Sequence, residues 1–262
     1  MFSKVRVLAP GFVCLGVAIC AMFTAPEAHA AVTAHSIEGH GASVEHRLAK
    51  EKQRRLLQSL WRITGDSHLR FDANGRLLLG AEAAETGSST AIGILRQAVN
   101  ANAFFIIEDH SDSNAIHFGQ IDEGLIYENE QSKARFTIWR VRLDFDDFEK
   151  MEASPEVRAS FDIGFTLLHE LLHGLGLKDT EKIGELGGCE KIVNQMRAEL
   201  GLAERERYHG EPVQIAPGLL SVRLRFRSAG RRRPHYLFFL IRSGPRWGID
   251  PAPDAPCDAI AP

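Results

Sequence analysis

The 262-residue sequence predicts an α+β fold, on three observations. The stretch ARFTIWRVRLDF alternates apolar and polar residues as a strand does. The segment FDIGFTLLHELLHGLGL is apolar at helical spacing, and CEKIVNQMRAELGL repeats a helical pattern after it. The last third returns to strand alternation in VRLRFR and HYLFFLIRS. Strands therefore precede the most apolar helix, one helix follows it, and a strand pair closes the chain.

The first thirty residues read as an export signal. Lys4 and Arg6 precede the apolar run LAPGFVCLGVAICAMF, and PEAHA supplies the small residues of a cleavage site after Ala30. The run is short and contains Pro10, which argues against a permanent membrane anchor. An exported chain, periplasmic or secreted, with no stable membrane insertion after cleavage, is the expectation. Of the four cysteines, Cys189 and Cys257 would remain, and an oxidising compartment permits a bridge between them.

Residues 31–70 form an N-terminal segment with a helix over 43–63, where Leu48, Leu56, Leu57, Leu60 and Trp61 make a one-sided stripe. LRFDANGRLLLG predicts two short strands around a turn, and SSTAIGILRQAV a second helix capped by Ser88 or Ser89. FFIIED, NAIHFG and GLIYEN read as strands. In ARFTIWRVRLDF the apolar phase slips between Ile138 and Val141, which predicts a bulge. Residues 71–210 are taken as the central domain, and 211–262 as a strand pair with a proline-rich tail. The formal net charge of −3 gives no footprint for nucleic acid, and the basic run RLRFRSAGRRR alternates like a strand entering a hairpin turn.

LHELLHGLGLKD carries the chemistry. His169 and His173 stand four residues apart on a predicted helix, so both imidazoles project from one face and can converge on one ion. Glu170 beside the first histidine is placed to act as general base. Three ionisable groups inside an otherwise apolar helix would be costly to bury without a metal. Together these features point to Zn2+. Two routes to a third ligand remain open on spacing. One is Asp179, with Gly176 turning the chain back in the pattern HExxHxxGxxH/D. The other is Glu190, which opens the following helix. Helix context favours Glu190, since Glu181 and Glu185 lie in the glycine-punctuated TEKIGELGG. Asp162 reads as the first-turn cap of the zinc helix.

With CEKIVNQMRAELGLAERERY added, the sequence resembles the secreted effector metalloproteases of enteric pathogens and related peptidase domains of bacterial toxins. The resemblance covers roughly Phe71 to Tyr208 and rests on His169, Glu170, His173, Glu190, Asn194, Arg197, Glu199, Leu200, Gly201, Leu202, Arg205 and Tyr208. It implies a zincin-like metallopeptidase fold, with a small mixed or antiparallel sheet before the HExxH helix and the glutamate ligand on the helix after it. It further implies that Glu190 is the third zinc contact, and that Tyr208 and Arg205 hold the tetrahedral intermediate. Ala203 stands where the family often has proline, and nothing beyond Tyr208 matches.

The expected activity is a zinc-dependent endopeptidase acting on protein or peptide substrates. Glu170, Tyr208 and Arg205 would be catalytic, His169, His173 and Glu190 would hold the metal, and ARFTIWRVRLDF would be the edge pairing with substrate. The competing expectations are an exported structural zinc domain and a protein-binding module without turnover.

Overall fold

The computed structural model describes residues 43–80, 86–111, 116–122, 124–128, 135–230 and 233–242. The predicted signal and the proline-rich tail with Cys257 lie outside them. The fold is α+β, with a mixed sheet ahead of the HExxH helix and a following helix that carries Glu190.

The chain opens with strand β1 (Ser43–His46) and helix α1 (Lys50–Thr64), where the sequence predicts one continuous helix. Val44 is fully buried and β1 pairs in parallel with β4 (Ala103–Asp109), so a sheet partner distant in sequence captures residues that would otherwise join the helix. The predicted stripe of α1 faces inward through Leu56, Leu57 and Leu60, while Trp61 is half-buried. A short hairpin, β2 (Arg70–Phe71) and β3 (Leu77–Leu78), follows. Next comes α2 (Ser89–Asn100), whose Ser88 hydroxyl accepts from the Ala91 amide as the predicted cap.

Past β4, the chain forms β5 (Gly119–Ile121), β6 (Leu125–Glu128) and β7 (Arg135–Leu143). Of the described residues of NAIHFG, only Gly119 lies in a strand. Strand β7 pairs in parallel with β4 on one side and antiparallel with β5 and β6 on the other. It is therefore an interior strand, and its amides are not available to a substrate. Strands β5 and β6 lie end to end along β7, and among the described residues no strand pairs with their other side. The expected bulge is also absent: β7 keeps one register with β4 from Thr137 to Leu143. Phe136 and Ile138 therefore stand on the face opposite Val141 and Leu143, which accounts for the phase slip without a bulge.

After β7 come α3 (Phe145–Lys150), β8 (Glu152–Ala153) and α4 (Pro155–Ser160). The central helix α5 (Ile163–Gly174) has all of its first ten residues buried except Thr166. Its predicted cap is present: the Asp162 carboxylate accepts from the amides of Gly164 and Phe165. The same carboxylate accepts from Ser59 Oγ at 2.7 Å, which ties α5 to α1. Helix α6 (Gly188–Glu199) packs beside α5.

The last elements are β9 (Glu204–Arg205), β10 (Glu211–Ala216), β11 (Leu219–Arg227) and β12 (His235–Arg242). With β8 they form a second sheet. Val222, Leu224, Phe226 and Leu237 of this sheet join the same apolar core as α1, α5 and α6. Among the described residues, no helix is long and apolar enough to cross a membrane.

Candidate metal centre

Helix α5 ends in a Schellman turn. Leu177 N–H donates to Leu172 O and Gly176 N–H to His173 O, and Gly176 takes the left-handed conformation at φ +95°. The chain thereby reverses and brings Asp179 back over the exposed flank of the two histidines. Glycine at 187 holds the far side of the loop: a Cβ there would meet Asp179 Cα at 2.6 Å and Thr180 N at 2.7 Å.

Asp179 Oδ2 lies 3.2 Å from His169 Nε2 and 3.0 Å from His173 Nε2. The other ring nitrogen of His173, Nδ1, faces Leu177 O at 3.1 Å. A carbonyl cannot donate, so Nδ1 carries the proton and, in the neutral ring, Nε2 presents a lone pair. His169 Nδ1 lies 3.7 Å from the Glu190 carboxylate, which favours a proton there too and leaves Nε2 of His169 bare. Two imidazole lone pairs and a carboxylate oxygen then converge on one point. Such a set repels itself unless a proton or a cation lies between its members. In the metal-free chain the proton takes that role: the Asp179 hydrogen bond, with Cys189 Sγ adding to it, pushes His173 up to about 11. Burial opposes charge on Asp179, but His169 and His173 together hold its carboxyl well below the usual range. Its second oxygen, Oδ1, is buried with no hydrogen-bond partner among the described residues.

Cys189 Sγ is 3.5 Å from His173 Nδ1, and donor atoms of His169, His173, Asp179 and Cys189 all lie within 4.8 Å of one another. Cys189 is a buried thiol with no disulfide partner among the described residues, and burial raises its pKa. It stands on the Nδ1 side of His173, away from the Nε2 convergence. These residues form a zincin-like cluster on a helix, able to chelate a metal ion, and the nitrogen and oxygen donors fit zinc.

Glu170 projects from the same helix with 7% of its surface exposed, and the Ile121 amide of β5 hydrogen-bonds its carboxylate. Burial raises its pKa, against the lowering effect of His169 and His173. Tyr208 stacks on His169 with ring centroids 5.8 Å apart and planes 5° apart. Burial, and then the neighbouring Asp179 carboxylate, raise its phenol pKa, so the hydroxyl keeps its proton.

The structure brings Glu190 to His169 but on the Nδ1 side, where its carboxylate is bound by two guanidiniums. Arg197 Nη1 donates to Glu190 Oε1 and, at 2.7 Å, to Asn194 Oδ1. Arg205 Nη1 lies 3.3 Å from Glu190 Oε2. Burial works against this charge, yet Arg197 and Arg205 hold Glu190 down to about 2. Arg205 also donates to the carbonyls of Arg207 and Tyr208. The Asn194 side chain clamps the Arg205 backbone at both its N–H and its carbonyl. The residues that carry the family resemblance thus build the scaffold behind His169. Glu181 and Glu185 are exposed loop residues, and Met196 is core within α6.

A cavity of about 290 Å³ opens in front of Glu170 and His169. Its walls include His117 and His209, and Val222, Leu224 and Phe239 of the C-terminal sheet. No local pattern could have assigned those strands to this site.

Comparison of the chain with protein-family models, with curated proteins and with solved structures finds no match in any of the three.

Proposed function

We propose that the chain is a zinc-dependent endopeptidase in which His169, His173 and Asp179 hold the metal. The observation that carries this reading is the meeting of two Nε2 atoms and one carboxylate oxygen beside a buried glutamate and an open cavity. When bound, zinc supplies Lewis acidity to a carbonyl oxygen and acidifies a coordinated water. Glu170 takes the proton of the attacking water on its carboxylate and delivers it to the leaving amine. Burial raises its pKa, as a group that must both accept and donate requires. Tyr208 keeps its hydroxyl proton and offers it to the developing oxyanion. The outer edge of β5 and β6 would pair with an extended substrate, and the Ile121 amide on β5 holds Glu170 in register with it.

In this reading Glu190 does not bind metal. Its carboxylate faces His169 Nδ1 at 3.7 Å and so favours the tautomer that exposes Nε2, while Arg205 anchors Glu190 and the Tyr208 backbone. The effector-protease likeness then supports the chemistry of the HExxH helix, with Asp179 in the ligand role that the likeness gives to Glu190. Export to the periplasm or medium remains part of the proposal, on the strength of the N-terminal signal.

The test is metal content and turnover of the purified chain. Stoichiometric zinc, peptide cleavage, and loss of cleavage with retained zinc in Glu170→Gln support the reading. A zinc-loaded chain that never cleaves peptide is the structural-domain outcome.

A further inference from the structure

Phe118 has φ +63°, the only non-glycine residue with positive φ among the described residues. For a bulky side chain this is a genuine outlier, and such strain collects at sites where a side chain must be aimed. The conformation is enforced from several directions. Gly119 N–H donates to His117 O at 2.7 Å, closing a tight γ-turn about Phe118. The Phe118 N–H donates to Asp147 Oδ2 at 3.1 Å, and its carbonyl accepts from Asp144 N–H at 3.0 Å. Gly119 rests against Thr166, one helical turn before Glu170, so the turn is fixed to the HExxH helix itself.

The strained turn places the Phe118 ring in the wall of the cavity in front of Glu170. There it meets Phe161 at 4.9 Å and 89°, and Phe239 at 4.8 Å and 77°, both edge-to-face. Phe165, Val193 and Leu224 complete an apolar enclosure. The charged groups at its inner end are engaged with one another, Glu190 being bound by both Arg197 and Arg205.

We propose that this cavity is a substrate side-chain subsite selecting an aromatic residue beside the scissile bond, with Phe118 as its specificity-determining residue. The inference rests on the peptidase reading for the words "scissile bond". Edge-to-face rings favour a further ring over an aliphatic chain of equal size. The γ-turn fixes the Phe118 ring in advance, so it need not be ordered when substrate arrives.

The experiment uses the full chain carrying Glu170→Gln and two labelled peptides that differ only by phenylalanine or alanine at one position. Binding is read by fluorescence anisotropy with and without added zinc. We expect the phenylalanine peptide to bind about tenfold tighter or more. Filling the cavity from either of two walls, by Leu224→Phe or Val193→Phe, should erase that difference. Phe118→Leu should reduce it several-fold. Equal binding of the two peptides, or a preference that survives both filling variants, overturns the proposal. Zinc uptake and turnover by the unmodified chain are measured in parallel. A chain that takes up no zinc yet keeps the preference would fail as a peptidase while retaining the aromatic site.

Discussion

His173 presents its two ring nitrogens to different partners, Nε2 to Asp179 Oδ2 at 3.0 Å and Nδ1 to the Leu177 carbonyl at 3.1 Å. The carbonyl places a proton on Nδ1, so the carboxylate contact at Nε2 calls for either a second proton or a metal cation there. Asp179 and Glu190 therefore have distinguishable effects on metal affinity. Glu190→Gln is expected to weaken zinc by about 10- to 100-fold, the range for a residue that orients a ligand. Asp179→Ala should weaken it further, because a donor is lost. Competition against a chelating dye measures both. If Glu190→Gln costs more than Asp179→Ala, the assignment is reversed.

Removing Glu190 should also unsettle the fold. Glu190 and Arg197 are each 1% exposed, and Glu190→Ala leaves Arg197 buried beside Arg205 with no carboxylate between them. Breaking one member of such a pair costs about 3–5 kcal/mol. The pH dependence follows from the direction of the shift. Glu190 is held at about 2 against an ordinary 4.5, so it binds protons more weakly folded than unfolded. Its contribution is complete above the unfolded value and is lost as pH falls from 4.5 towards 2. Urea melts of the metal-free chain should show an acid limb in that window, and Glu190→Gln should flatten it.

Much of this was readable from local pattern. The HExxH helix, its Asp162 cap, the Ser88 cap, α6 and the terminal hairpin all declare themselves in contiguous stretches of sequence. The losses are non-local. Nothing in the sequence of β7 says that β5 and β6 will share its outer side, so an interior strand passed for an edge. Spacing also does not specify which nitrogen of an imidazole the Asp179 or the Glu190 carboxylate will face. That is fixed by how α6 lies against α5. The strain at Phe118 leaves no trace in NAIHFG, because the hydrogen bonds that enforce it come from Asp144 and Asp147.

The Asp162 cap separates stability from metal binding. Its carboxylate satisfies two amides at the start of α5 and also receives Ser59 and Arg62 from α1. Asp162→Ala should cost about 1–2 kcal/mol as a lost cap. The metal cluster lies at the other end of the helix, so zinc affinity should hold within about twofold, as expected of distant sites. Thermal unfolding and dye competition on one preparation check the two halves. A large fall in affinity would mean that α5 shifts as a rigid rod when its cap is removed.

The loop that returns Asp179 can be tested without altering a ligand. Gly187→Ala places a methyl group at 2.6 Å from Asp179 Cα, a contact that backbone cannot tolerate unmoved. Gly176→Ala instead meets no atom within 4 Å but must hold φ +95°, at a cost of roughly 1–2 kcal/mol. The first substitution acts on the position of the carboxylate and the second on the turn that carries it. Gly187→Ala is therefore expected to lower zinc affinity more than tenfold and, because Gly187 is buried at the N-cap of α6, to lower the stability of the metal-free chain as well. Gly176→Ala should lower stability in both forms. Unchanged affinity in Gly187→Ala, with the metal-free melting temperature also unchanged, would show that Asp179 is not held by this loop packing and would remove the structural basis for its role as a ligand.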